Sequence, residues 1–143
     1  MRNTLALAAL AAAPVAGAGA EEQLPPELTP EQKMARRFPQ PVRVGDLVGR
    51  AIVDDNTATI GRVRAVVQGA DGKIRLITPY GGLFGFGSRL VAVPVEVVTL
   101  LGHLVAAVDM DRAGFEKAPS WYGSDSERTL GPDEVIRVGL SRR

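Results

Sequence analysis

The sequence predicts an all-β fold, a small six-stranded β-barrel with short flanking helices and an extra C-terminal strand. Three observations carry that expectation. From Val42 onward, short runs rich in Val, Ile, Leu and Thr recur, each bounded by Gly, Asp, Asn or Pro. In several of these runs apolar and polar residues alternate, the period of a half-buried strand. Helix-like patterning is confined to two brief segments, one ahead of Val42 and one after Asp111. Short strands joined by tight turns describe a barrel or roll.

The elements follow in chain order. Residues 1–20, MRNTLALAALAAAPVAGAGA, form a separate block. Arg2 gives a positive start, Leu5 to Ala13 an apolar run, and Ala18-Gly19-Ala20 a small-x-small pattern, which together read as a secretory signal peptide cleaved after Ala20. The run is short and rich in Ala and Gly, whereas a permanent span needs about 20 predominantly apolar residues. No later stretch is long and apolar enough to cross a bilayer, so the expectation is a periplasmic or secreted protein with no integral span after cleavage. Residues 21–43 read as a flexible leader with a short helix. Glu21 to Leu28 is acidic and carries Pro25-Pro26, which favours extended chain. In TPEQKMARRF, Thr29 suits the N-cap, Pro30 the first turn, and Gln32, three after the cap, completes a capping box. Pro39 and Pro41 stop the helix, and Arg36-Arg37 reads as a solvated helix end suited to the C-terminal dipole.

Residues 44–119 hold the barrel. LVGRAIVDD gives a first strand ending at the Asp54-Asp55-Asn56 turn. TIGRVRAVVQG reads as one alternating strand, with Arg62 and Arg64 on one face and Val63, Ala65 and Val67 on the other. Asp71-Gly72 marks a hairpin, since both residues tolerate positive φ; Ile74 and Leu76 then face inward. RLVAVPVEVV is a strand closed at Pro94, which lacks the backbone donor that pairing requires. VVTLLGHLVAAVDM reads as two strands joined at Gly102-His103. Asp111 caps a helical turn, RAGFEKAP, which Pro119 stops and which Phe115 must hold against the barrel. Residues 120–143 form a loop, SWYGSDSERTLGPDE, and a last strand, VIRVGLSRR, alternating through Ile136, Val138 and Leu140; its expected place is beside Val42–Val44 or on a barrel edge.

Bulk properties exclude several classes of function. Without residues 1–20 the basic and acidic side chains balance, so there is no clustered positive charge for nucleic acid. The chain has no cysteine, hence no disulfide, no thiolate metal site and no lipid-attachment cysteine.

The pieces GRAIVDDNTATIGRV, GADGKIRLI, YGGLFGFGSRLVAVP and DMDRAGFEKAP, between Gly45 and Pro119, resemble the PRC-barrel domain. That β-barrel module occurs in the H subunit of photosynthetic reaction centres and in a ribosome-maturation factor. The most specific element is the Gly-Gly-x-x-Gly-x-Gly loop running into LVAVP, while Thr57 stands at a turn position where the family usually has glycine. The resemblance implies that the glycine loop joins two central strands and that its glycines allow the bends of a small barrel. A dinucleotide fingerprint requires G-x-G-x-x-G opening a helix, whereas Gly85-Phe86-Gly87 leads into a strand.

Candidate protein-binding residues are Tyr80, Phe84, Phe86, Trp121 and Tyr122. Of Phe84 and Phe86, one is expected to fold back and plug the barrel mouth while the other stays exposed as an interface anchor, with the core plug favoured over the anchor; Trp121-Tyr122 pose the same choice, with packing over the barrel end favoured. Catalytic chemistry has no constellation: His103 lies in a hairpin turn, Asp54-Asp55-Asn56 lacks the calcium-loop rhythm, and Asp111 is accounted for as a cap. The expected function is therefore non-enzymatic, without cofactor or metal, an adaptor or scaffold of the bacterial cell envelope. Its partner would be another envelope or membrane protein, or a second copy in a homo-dimer. The alternative is a carrier holding a small molecule or cofactor in a barrel mouth lined by Tyr80, Phe84 and Phe86.

Overall fold

The computed structural model describes residues 26–83 and 86–141. The expected signal peptide lies outside these residues. Helix α1 (Pro30–Arg36) begins at the capping box read from the sequence: Gln32 N donates to Thr29 Oγ1 at 3.2 Å, and Thr29 N to Gln32 Oε1 at 2.9 Å. It ends at Arg37, and Phe38, with a φ of 53°, redirects the chain into strand β1 (Gln40–Arg43). Within the segment expected as a leader, these two elements lie against the rest of the chain. Met34 packs on the core, Lys73 meets Glu31 at 3.5 Å, and Arg37 Nη2 donates to Asp109 Oδ2 at 2.6 Å.

A four-residue helix, α2 (Val44–Leu47), follows and buries Val44 and Leu47. Next come β2 (Ala51–Val53), β3 (Thr59–Arg62), β4 (Ala65–Gln68), β5 (Ile74–Tyr80) and β6 (Arg89–Pro94). After a 3₁₀ turn at Val95–Val97 the chain forms β7 (Val98–Leu101) and β8 (Leu104–Ala107), then α3 (Arg112–Lys117), β9 (Arg128–Thr129) and β10 (Val135–Leu140). The structure is mostly β, as expected, but the six-stranded closed barrel is corrected. The described residues form ten strands in two sheets, one ordered β1-β10-β7-β8-β2-β3 and one β6-β5-β4-β9, and neither sheet closes on itself.

The extra strands have local causes. TIGRVRAVVQG, expected as one strand, is divided between β3 and β4, which belong to different sheets. At the division Gly49 N donates to Val63 O at 2.7 Å and Val63 N to Arg50 O at 3.0 Å, joining the chain after β3 to the turn before β2; Arg64 N donates to Ile77 O of β5 in the second sheet at 2.7 Å. The chain thus changes sheet between two consecutive residues and fastens the sheets along one side. Gly61 stands at that seam, where a Cβ would collide with the Pro79 carbonyl and the Thr78 hydroxyl. In the stretch read as loop, β9 pairs with β4 through Val67↔Thr129. The C-terminal strand β10 does not occupy an edge. It lies between β1 (Val42↔Ile136, antiparallel) and β7 (Leu140↔Leu100, parallel), burying Ile136 and Val138 but leaving Leu140 exposed.

Between the sheets, Ile52, Val66, Leu76, Val91, Val93, Val98, Val105 and Val138 are fully buried, and Phe115 of α3 closes one side. Asp111 holds α3 as expected, its Oδ1 accepting from Gly114 N at 2.8 Å. The Asp71-Gly72 and Gly102-His103 hairpins also form where the sequence put them.

Candidate interaction surface

Tyr80 and Arg89 oppose each other across the last rung of the β5–β6 ladder, and the glycine loop is what lies between them. That rung is anchored to α3. The Arg89 guanidinium donates to the carbonyls of Ala118 at 2.5 Å, Phe115 at 2.7 Å and Glu116 at 2.9 Å. These acceptors sit at a helix end, where carbonyls have no partner within the helix and a cation complements the dipole. The Tyr80 ring lies 5.6 Å from that of Phe115, and its hydroxyl donates to Glu116 Oε1 at 2.7 Å. Arg89 also stands over the Tyr80 ring at 5.8 Å. The Glu116 hydrogen bond, reinforced by burial, pushes the Tyr80 phenol above its ordinary pKa. Tyr80, expected as a surface residue, is therefore part of the core, since α3 covers its ring and supplies its hydroxyl with an acceptor.

Beyond that rung the hairpin goes on. Leu83 N donates to Phe86 O at 2.8 Å and Phe86 N to Leu83 O at 2.9 Å. The turns that allow this use left-handed glycines: Gly81 at φ 78°, Gly82 at 86° and Gly87 at 78°. At Gly82 a side chain would also meet Phe86 O at 2.6 Å and Ser88 N at 2.7 Å. The glycines serve geometry, as the strand-to-strand placement implied.

Directly opposite residues on an antiparallel pair project to the same face. Leu83 and Phe86 form such a pair, 70% and 80% exposed. Phe84 lies outside the described residues. Of the remaining candidates, Trp121 is half-buried, its indole N–H donating to the Glu127 carboxylate at 3.1 and 3.2 Å. Tyr122 is 91% exposed. Ser120 bridges to Val91 and Trp121 N donates to Leu90 O at 2.7 Å, so this segment runs antiparallel to β6 and advances toward the hairpin tip. The structure thus places Phe86 and Tyr122 at one end of the second sheet and adds Leu83, which the sequence reading left out. Its signal was the absence of any charged residue from Gly81 to Ser88.

The other polar candidates have structural partners or lie open. His103 is exposed in the β7–β8 turn. Asp54 Oδ1 accepts from Asn56 N and Ala58 N, each at 2.9 Å, while its Oδ2 accepts from Arg112 Nε at 2.9 Å. The Ala58 hydrogen bond is the main reason its carboxyl stays below the usual carboxylate range. Among the described residues, no helix is long and apolar enough to cross a membrane. In comparisons with known proteins, residues 41–112 match the family model described as the PRC-barrel domain. No curated protein matches the chain.

Proposed function

The chain belongs to the PRC-barrel domain family, and from that premise we propose that it is a non-enzymatic interaction module of the bacterial cell envelope that docks a partner protein on its glycine hairpin. One observation carries the reading: Leu83 and Phe86 stand exposed, side by side, on a hairpin whose base is held by the Arg89 and Tyr80 contacts to α3. A rigid base with an apolar tip loses little conformational freedom on binding, and large apolar side chains at the centre of a contact supply most of its energy. The export signal read in residues 1–20 supports the envelope as the compartment. The carrier reading has less behind it, because Tyr80, which was to line its mouth, is packed on Phe115.

The test uses the full chain as bait in detergent-solubilised envelope extract, beside Leu83→Ser/Phe86→Ser. A partner retained by the parent and lost by the double variant, with unchanged circular dichroism, is the expected result. Equal capture by both proteins would remove the hairpin from the function.

A further inference from the structure

Away from the hairpin tip, the outer face of the second sheet carries a shallow, open groove of about 440 Å³, lined by apolar surface with polar side chains among it. Arg75 and Ala92 come from β5 and β6, Asp71 from the β4–β5 hairpin, and Trp121, Ser124, Ser126 and Glu127 from the segment that crosses this face. We propose that the cleft binds a neutral saccharide.

The chemistry of the lining selects that class. Trp121 is half-buried and its indole is fixed in orientation by Glu127, so it offers a preset aromatic surface to the C–H face of a sugar ring. Around it stand the planar polar groups that read hydroxyls. Each carboxylate has about four acceptor sites, of which Asp71 uses one on Lys73 N at 3.0 Å and shares another with Arg75 at 3.4 Å. Arg75 has five donors in a rigid fork, and that long contact is a weak claim on them. The hydroxyls of Ser124 and Ser126 lie 2.7 Å apart and pass one donor on. Two carboxylates against one guanidinium disfavour an anion, whereas the hydroxyls of a polyhydroxylated ring donate hydrogen bonds to the carboxylates and accept them from Arg75. Gly69, Ala70 and Ala92 complete the lining without large side chains.

Trp121 is the only tryptophan in the chain, so its emission reports this cleft alone. The full-length protein is titrated with triacetylchitotriose and, separately, with maltotriose up to about 10 mM. A saturable change in emission with at least one of them is expected. The apparent affinity should fall about tenfold in Asp71→Asn and in Arg75→Ala, the loss of one charge-assisted hydrogen bond; both positions are outside the core, and thermal melts confirm the fold. No saturable change with either sugar, or a change that both variants retain in full, overturns the proposal.

Discussion

Arg89→Ala tests whether the hairpin base is a built clamp. The substitution deletes three hydrogen bonds from one guanidinium to the Phe115, Glu116 and Ala118 carbonyls, together with the contact over the Tyr80 ring. A hydrogen bond to a charged group contributes about 1.5–3 kcal/mol in mutational series, and a cation over an aromatic ring about 0.5–1 kcal/mol at exposed sites. The three bonds share one side chain and the site is partly open to water, which rehydrates the freed carbonyls, so the sum does not apply. A loss of about 2–4 kcal/mol is expected, a large part of the ~5–15 kcal/mol typical of a domain. For a chain of this size, at about 3–4 °C per kcal/mol, it lowers the melting temperature by about 6–16 °C. The assay is urea unfolding followed both by far-ultraviolet circular dichroism and by Trp121 emission. Trp121 follows closely on the Pro119 stop of α3, so its signal should change at lower urea than the dichroism does. Arg89→Lys, with one ammonium against three spread carbonyls, should recover less than half the loss. A loss below about 1 kcal/mol in Arg89→Ala would mean that Phe115 packing and the Tyr80–Glu116 hydrogen bond hold α3 without the guanidinium, and complete recovery by lysine would mean that a single positive charge suffices.

Thr57 has a φ of 64°, a conformation that costs a residue with a Cβ about 1–2 kcal/mol. Thr57→Gly should therefore raise the urea midpoint, with a net gain of about 0.5–1 kcal/mol after the added freedom of the unfolded chain; an unchanged or lowered midpoint refutes the strain. Gly61→Ala places a methyl against a carbonyl and a hydroxyl at the seam of the sheets and should cost about 3 kcal/mol or more in the same assay, the upper end of overpacking. The Asp54 carboxyl is held low chiefly by the Ala58 amide and then by Arg112. Its stabilisation is present above its unfolded value of about 4 and lost as pH falls through the lower folded value. Stability measured from pH 6 down to about pH 2 should accordingly fall less steeply in Asp54→Asn than in the parent.

Signals confined to three or four consecutive positions were legible in the sequence. Thr29 with Gln32, Asp111 with Gly114, Asp71-Gly72 and the stop at Pro94 each act within one turn, and each forms where it was read. The exchange of sheets at Val63 and Arg64 was not legible, because alternation looks the same whichever sheet a residue joins. What decides it is Ile77, whose carbonyl receives Arg64 N from another strand. Tyr80 was misplaced for a similar reason. An aromatic beside a glycine loop reads equally as anchor or core, and the acceptor that commits it to the core, Glu116, lies 36 residues away. The hairpin that presents Leu83 and Phe86 was legible through its glycines; that both side chains share one face required the backbone pairing of the tip.

The cover that Ser120 and Trp121 lay along β6 has a consequence for how the molecule fails. Beneath it runs Leu90-Val91-Ala92-Val93, an uncharged, β-prone stretch of the kind that templates aggregation once its edge is bare. Two backbone contacts to a short segment would be a weak shield by themselves. The segment emerges from α3, however, whose end Arg89 grips, so the same guanidinium that steadies the hairpin keeps the sheet edge shut. Local opening of α3, well short of global unfolding, is then expected to bare the β6 edge, and self-association should rise with it.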